Sequence, residues 1–205
     1  MDNEAECVIR HMENPVEQRL WGRRVVRGML GGKEATVVVS GVGKSNAAAA
    51  TQLALLAGVD EIVNLGVAGG LEPSMRVGDI YEVKDAVQYD FDLTGINGTE
   101  IGTLNERSSP FIPCAAKGLF AAKRLGTGDR FNDDEADAAL LKRLGVGLRD
   151  MEGAAMAHVC ETAGARFVSI KCVSDVYGSG SMPGQYLENL KKCLGKLAEI
   201  VPRLY

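Results

Sequence analysis

Apolar positions along this chain switch repeatedly between a helical and a strand period. Between Glu4 and Met12, the residues Cys7, Val8, Ile9 and Met12 recur at helical spacing and Asn14-Pro15 ends the pattern, which predicts a short amphipathic helix. Two β-rich runs follow, Arg24 to Met29 and Ala35 to Ser40, with Gly31-Gly32 between them as a hairpin signal. The second run is continuously apolar, as in a strand covered on both faces. Gly41-Val42-Gly43-Lys44-Ser45-Asn46 then opens an Ala-rich helix over Ala47 to Ala57.

The unit repeats. Glu61 to Leu65 reads as a buried strand and Gly66-Val67-Ala68-Gly69-Gly70-Leu71 as a second glycine turn, where φ > 0 and close approach of a ligand to backbone are permitted. After Pro73 the period is β-like through Gly78 to Val83 and again through Ala86 to Asp90. Thr94 to Pro113 is the longest loop-like stretch. A segment from about Leu119 to Leu125 reads as strand and leads into Gly126-Thr127-Gly128-Asp129-Arg130-Phe131-Asn132. Asp133-Asp134-Glu135 starts a helix to about Leu144, with its acids well placed in the first turn. Gly147 to Glu152 runs into the small-residue helix Gly153 to Cys160. Arg166 to Val173 is the last strong strand, closed by Ser174-Asp175, and Gln185 to Leu204 is a C-terminal amphipathic helix. Strands alternating with helices predict an α/β layer with a mixed, mostly parallel sheet.

Composition narrows the class. The 205 residues suit one domain spanning 1–205, and 46% apolar with 24% charged residues is ordinary for a folded protein. A net charge of −4, with no basic stripe longer than Arg23-Arg24 or Lys191-Lys192, argues against nucleic acid and anionic membranes as partners. Five widely spaced cysteines without a C-x-x-C pair, and only two histidines, predict reduced thiols and no zinc site. The acidic start Met1 to Glu6 does not read as a signal peptide, and no run approaches the ~18 apolar residues of a membrane span, so a cytoplasmic protein is expected.

Chemistry in open α/β sheets collects at the carboxyl ends of strands. The candidates are the turns at Gly41 and Gly66, Met151-Glu152, Ser174-Asp175 and the Gly128-Asp129-Arg130-Phe131 corner. The strand, glycine turn and helix start at Gly41 to Asn46 make an anion-receptive arrangement. It is not a triphosphate P-loop, because the Walker pattern needs four residues between its first Gly and Gly-Lys, and here the preceding Gly lies only two positions earlier.

Six stretches, in order, carry a resemblance: Ser40-Gly41-Val42-Gly43-Lys44, Asn64 to Leu71, Val77-Gly78-Asp79-Ile80, Gly128-Asp129-Arg130-Phe131, Met151 to Cys160, and Val173-Ser174-Asp175-Val176. Together they resemble the 5′-methylthioadenosine/S-adenosylhomocysteine nucleosidases of the purine nucleoside phosphorylase-like superfamily over nearly the whole chain. The resemblance implies a homodimeric three-layer α/β/α sandwich that hydrolyses the N-glycosidic bond of adenine nucleosides without metal or cofactor.

It also implies roles. Asp175 is the general acid toward N7 of the base, with Ser174 holding it, and a carboxyl in a closed apolar cleft has its pKa raised toward the useful range. Glu152 matches the ligand of the ribose hydroxyls and Met151 its packing neighbour. Phe131 resembles the aromatic residue that stacks on adenine, backbone groups at Asn132 read the base edge, and Val67, Ala68 and Gly69 line the pocket. Glu4 matches the end of an Ala-Met-x-x-Glu segment whose glutamate activates water. Leu93 resembles the position that reaches across a dimer to cover the 5′-substituent, completing the pocket. The family usually has Ser at Val67 and Arg at Lys171, both near the water and ribose side. It also has a short apolar strand ahead of the glutamate segment, which is not found here, and a longer segment between Thr94 and Leu119. A phosphorylase, another nucleoside hydrolase, and a catalytically impaired nucleoside-binding dimer remain as alternatives.

Overall fold

The computed structural model describes residues 1–104 and 106–205; Asn105, inside the predicted Thr94–Pro113 loop, lies outside the described residues. The chain opens with α1 (Asp2–Ile9) and a three-stranded antiparallel sheet of β1 (Glu13–Leu20), β2 (Arg23–Leu30) and β3 (Lys33–Val38). β1 is absent from the hydrophobic pattern because its side chains are mostly exposed and polar on both faces. Pro15 is tolerated there because β1 is an edge strand whose register shifts between Glu13 and Val16. The Gly31-Gly32 turn is as predicted, with φ of 58° and 76°.

Next come α2 (Lys44–Leu56), β4 (Glu61–Gly70), β5 (Ile80–Gln88), the single-turn α3 (Thr94–Asn97) and the two-residue β6 (Ile112–Pro113). The chain ends with β7 (Ala122–Thr127), α4 (Glu135–Arg143), β8 (Leu148–Asp150), α5 (Gly153–Ala163), β9 (Arg166–Val176) and α6 (Met182–Ile200). The second sheet runs β6-β5-β7-β8-β4-β9, and an added β5–β9 pairing curls it round on itself. Its long ladders, β4 with β9 and β5 with β7, are parallel, whereas the antiparallel contacts β4–β8, β5–β6 and β5–β9 are short. The mixed, mostly parallel sheet is therefore as expected.

β9 shows how three layers arise from one strand. Its alternate side chains serve opposite faces, as the two-residue period requires. Phe167 and Val173 pack in the cluster that holds Ala154, Ala157 and Cys160 of α5. Val168, Ile170 and Cys172 pack with Cys193, Leu197 and Ala198 of α6 and Cys7 of α1. Cys160 is fully buried, which pushes its thiol up to about 11, and burial pushes the half-buried Cys114 up to about 12. Neither is a nucleophile at neutral pH.

Five expectations need correction. The run at Ala35 to Ser40, predicted as a strand covered on both faces, is the edge strand β3, in which no residue is fully buried. The predicted glycine turn at Gly66 to Leu71 is strand through Gly70, because its backbone is fully laddered to β9. Ser174-Asp175 do not close β9 but lie inside it. The strand predicted over Leu119 to Leu125 begins only at Ala122, because Lys117 to Phe120 turn around the buried Glu82 and donate four backbone N–H groups to its carboxylate. Burial opposes ionisation of Glu82, but those four donors hold its pKa below the ordinary carboxylate range. Finally, α6 starts at Met182, capped by the Ser181 hydroxyl on the Gly184 N–H, three residues before the predicted start.

Candidate active site

One cavity of about 790 Å³ lies between β3, α2, β4 and the start of α6. It is lined by ten of the predicted site residues: Glu4, Val67, Ala68, Gly69, Phe131, Met151, Glu152, Lys171, Ser174 and Asp175. Asn132 and Leu93 are not among its lining residues. Asn132 follows Phe131 directly, while Leu93 caps α3 and is partly buried elsewhere in the protomer.

Two carboxylates face this space from opposite origins, one from α1 and one from β9. Asp175 is 1% exposed. The Ser174 hydroxyl donates to its Oδ1 at 2.6 Å, whereas Oδ2 is buried without any protein partner. Ser174 can do this because the β4–β9 register shifts between Ala68 and Gly69, leaving Ser174 unpaired in the ladder, a bulge that re-aims the strand end. Burial pushes the Asp175 carboxyl up, against the Ser174 hydrogen bond and the Arg149 charge, which pull it down. Glu4, in the first turn of α1, accepts the Val67 N–H on Oε1 at 3.0 Å.

The strand glycines explain the approach of both acids. A Cβ on Gly66 would stand 2.6 Å from Glu4 Oε1, and a Cβ on Gly69 would stand 2.8 Å from Asp175 Oδ2. Three strand steps lie between them, so the carboxylates address points roughly 10 Å apart along β4. Those glycines give clearance to side chains rather than making a turn.

Between them, Glu152 at the N-terminus of α5 accepts the Gly43 N–H at 2.9 Å. Burial and the neighbouring Asp150 charge push its carboxyl up, while Lys171 pulls it down. Asp150 accepts from the Thr127 hydroxyl at 2.6 Å, the Gly153 N–H at 2.9 Å and the Lys171 ammonium at 2.9 Å. Lys171 thus faces the cavity with its ammonium committed to Asp150. Burial alone would lower its pKa, but Asp150 and Glu152 outweigh that and raise it.

The anion-receptive start of α2 is already occupied by the protein's own acids. Gly43 donates to Glu152 and the Lys44 N–H donates to Asp129 Oδ1 at 2.8 Å. Phe131, 45% exposed, sits at the cavity with its ring edge-on to Tyr186, centroids 5.6 Å apart.

A family model described as the phosphorylase superfamily matches residues 1–204. The 5′-methylthioadenosine/S-adenosylhomocysteine nucleosidase of Shewanella halifaxensis (strain HAW-EB4) is 35% identical, over 85% of this chain and 83% of its own. The chain belongs to the 5′-methylthioadenosine/S-adenosylhomocysteine nucleosidase family. Solved nucleosidases share its fold closely. That of Colwellia psychrerythraea 34H, in complex with adenine, has a TM-score of 0.90 and 29% identity, over 98% of this chain and 90% of its own. That of Neisseria meningitidis, in complex with methylthio-immucillin-A, has a TM-score of 0.88 and 26% identity, over 98% of this chain and 94% of its own.

Four residues that line this cavity are missed by the sequence reading: Arg149, Asp150, Met182 and Tyr186. Met182 and Tyr186 lie in and just after the helical turn that the predicted start of α6 left out. Arg149 and Asp150 immediately precede Met151-Glu152, and a charged pair ending an apolar strand was the available signal.

Proposed function

We propose that this protein hydrolyses the N-glycosidic bond of an adenine nucleoside such as 5′-methylthioadenosine or S-adenosylhomocysteine, releasing adenine. The observation that carries this reading is the buried Asp175 carboxyl, fixed through Oδ1 by Ser174 and with Oδ2 free to deliver a proton. Burial raises its pKa above the ordinary carboxylate range and so favours the protonated form that a general acid needs. Protonation at N7 makes the base a better leaving group, so the C1′–N9 electron pair departs with adenine. Water held by Glu4 gives up a proton to that carboxylate as its oxygen bonds to C1′. Glu152 takes the ribose hydroxyls, Met151 packs beneath the sugar, Phe131 stacks on the base and backbone groups at Asn132 read its edge. Val67, Ala68 and Gly69 form the pocket floor. Lys171 acts by balancing Asp150 and Glu152 rather than by touching substrate.

Hydrolysis is favoured over phosphorolysis because the amides best placed for an anion, those of Gly43 and Lys44, already serve Glu152 and Asp129. We further propose a homodimer in which Leu93 of one protomer covers the 5′-substituent bound by its partner. The exposed Ile96 beside it supports this, standing in the same turn at 83% exposure. A cytoplasmic location accords with five free cysteines, and among the described residues no helix is long and apolar enough to cross a membrane.

Turnover of 5′-methylthioadenosine with and without inorganic phosphate tests the proposal. Adenine and 5-methylthioribose at a rate independent of phosphate are expected. A phosphate requirement with a ribose-1-phosphate product assigns a phosphorylase instead, and adenosine-analogue binding without turnover assigns a binding protein.

A further inference from the structure

Arg149 precedes Asp150 in β8 and is 4% exposed, yet it is one of the residues that line the cavity, with Phe131, Asp175 and Met182. Arginine cannot shed its proton, so burial ordinarily comes with a carboxylate partner. Among the described residues no carboxylate lies within ion-pair distance of Arg149. Its Nη2 donates to the Asn132 carbonyl and touches Met182 Sδ at 2.9 Å. No described group accepts from its Nε or Nη1. The fork therefore brings unmet donors to the wall that carries Asp175 Oδ2, itself a donor when protonated.

A donor-only wall beside a stacking ring selects a base edge made of acceptors. The N7 edge of a 6-aminopurine offers one acceptor and one donor, whereas a 6-oxopurine offers N7 and O6, two acceptors. An arginine fork pairs with O6 and N7 of guanine for this reason. The Asn132 carbonyl, the neighbouring acceptor for a 6-amino group, has one of its two lone pairs committed to an N–H of Arg149.

We propose that Arg149 is a specificity-determining residue that admits 6-oxopurine nucleosides, so that the protein also cleaves 5′-thio-substituted inosines. The inference rests on the nucleosidase reading above. In the step, the water oxygen bonds to C1′ and the C1′–N9 bond breaks with its electron pair passing to the base. The Asp175 proton goes to N7 and a water proton to Glu4, giving hypoxanthine and 5-methylthioribose. Arg149 donates to O6 as negative charge builds on the departing base.

The test compares kcat/KM for 5′-methylthioinosine and 5′-methylthioadenosine in the native protein, Arg149→Met and Arg149→Lys. The ratio of the two substrates on one preparation cancels any loss of folded protein. Native enzyme is expected to cleave methylthioinosine, Arg149→Met to lower the oxo-to-amino ratio about ten-fold or more, and Arg149→Lys to lower it less. Cleavage of methylthioadenosine alone, or a ratio unchanged in Arg149→Met, overturns the proposal. Should the native protein cleave neither nucleoside, the nucleosidase reading is what fails, and calorimetry with free hypoxanthine and adenine decides the role of Arg149. Hypoxanthine binding that weakens at least ten-fold in Arg149→Met supports it; hypoxanthine binding that is absent or insensitive to the substitution overturns it.

Discussion

The Lys171 ammonium meets the Asp150 carboxylate at 2.9 Å with the two side chains only 3% and 2% exposed. One comes from β9 and the other from the end of β8, and Asp150 also accepts the Gly153 N–H that starts α5. The pair therefore fixes the helix that presents Glu152. Removing one partner strands a buried charge, at a cost of about 3–5 kcal/mol. Lys171→Met is expected to lose that much stability by urea denaturation, and a loss below about 1 kcal/mol would show that the pair does not hold this corner.

If Asp175 is the general acid proposed above, its burial should act on stability and activity with opposite signs. Burial holds its pKa in the folded protein above the unfolded value, so the native state binds the proton more tightly. Below the unfolded pKa both states are protonated and stability is highest; it declines as pH rises through the folded pKa. Asp175→Asn removes that decline. The variant should melt higher than the parent at pH 8, by roughly 2–4 °C for each kcal/mol relieved, and converge with it in acid. Its kcat should fall about 10²–10⁴-fold. A lower melting temperature at pH 8 would contradict the burial argument.

The alkaline limb of the pH–rate profile should follow the same carboxyl. Ser174 donates to Oδ1 and so favours the ionised form. Ser174→Ala is expected to move the limb of kcat/KM to higher pH while lowering its plateau. A limb moving to lower pH would mean that another group titrates.

Two glycines should be irreplaceable for chemistry yet not for folding. Alanine at Gly66 or Gly69 would push a methyl to 2.6 Å from Glu4 or 2.8 Å from Asp175. Glu4 and Asp175 both line the cavity, into which their side chains can turn aside. Gly66→Ala and Gly69→Ala are expected to stay folded by circular dichroism and to lose at least about 10²-fold in kcat/KM. Activity within ten-fold of the parent would show that neither carboxylate needs its place.

These glycines also mark what the chain makes legible. The order of most strands and helices, the buried strand from Arg166 and the strand-end part of the pocket can be read from apolar periods and strand-end residues. The strand predicted as buried at Glu61 to Leu65 is only half-buried, and Glu4 and Lys171 are legible only through the family resemblance. The meaning of Gly66 to Gly70 cannot be read from the chain, because a glycine that clears room for a distant side chain looks in sequence like one that makes a turn. β1 escapes notice for a related reason: an exposed edge strand has no apolar face to repeat. The Lys171–Asp150 pair and the Arg149 fork are set by which strands stand side by side, β8 next to β4 and β4 next to β9, and no local spacing encodes that.

The most direct test of the account sets 5′-methylthioadenosine beside its 7-deaza analogue in phosphate-free buffer and follows release of the base. If Asp175 works by protonating N7, the natural nucleoside yields free adenine and the analogue, having no nitrogen there, is slower by at least about 10²-fold. Comparable rates for the two, or no adenine above the buffer rate, would contradict it.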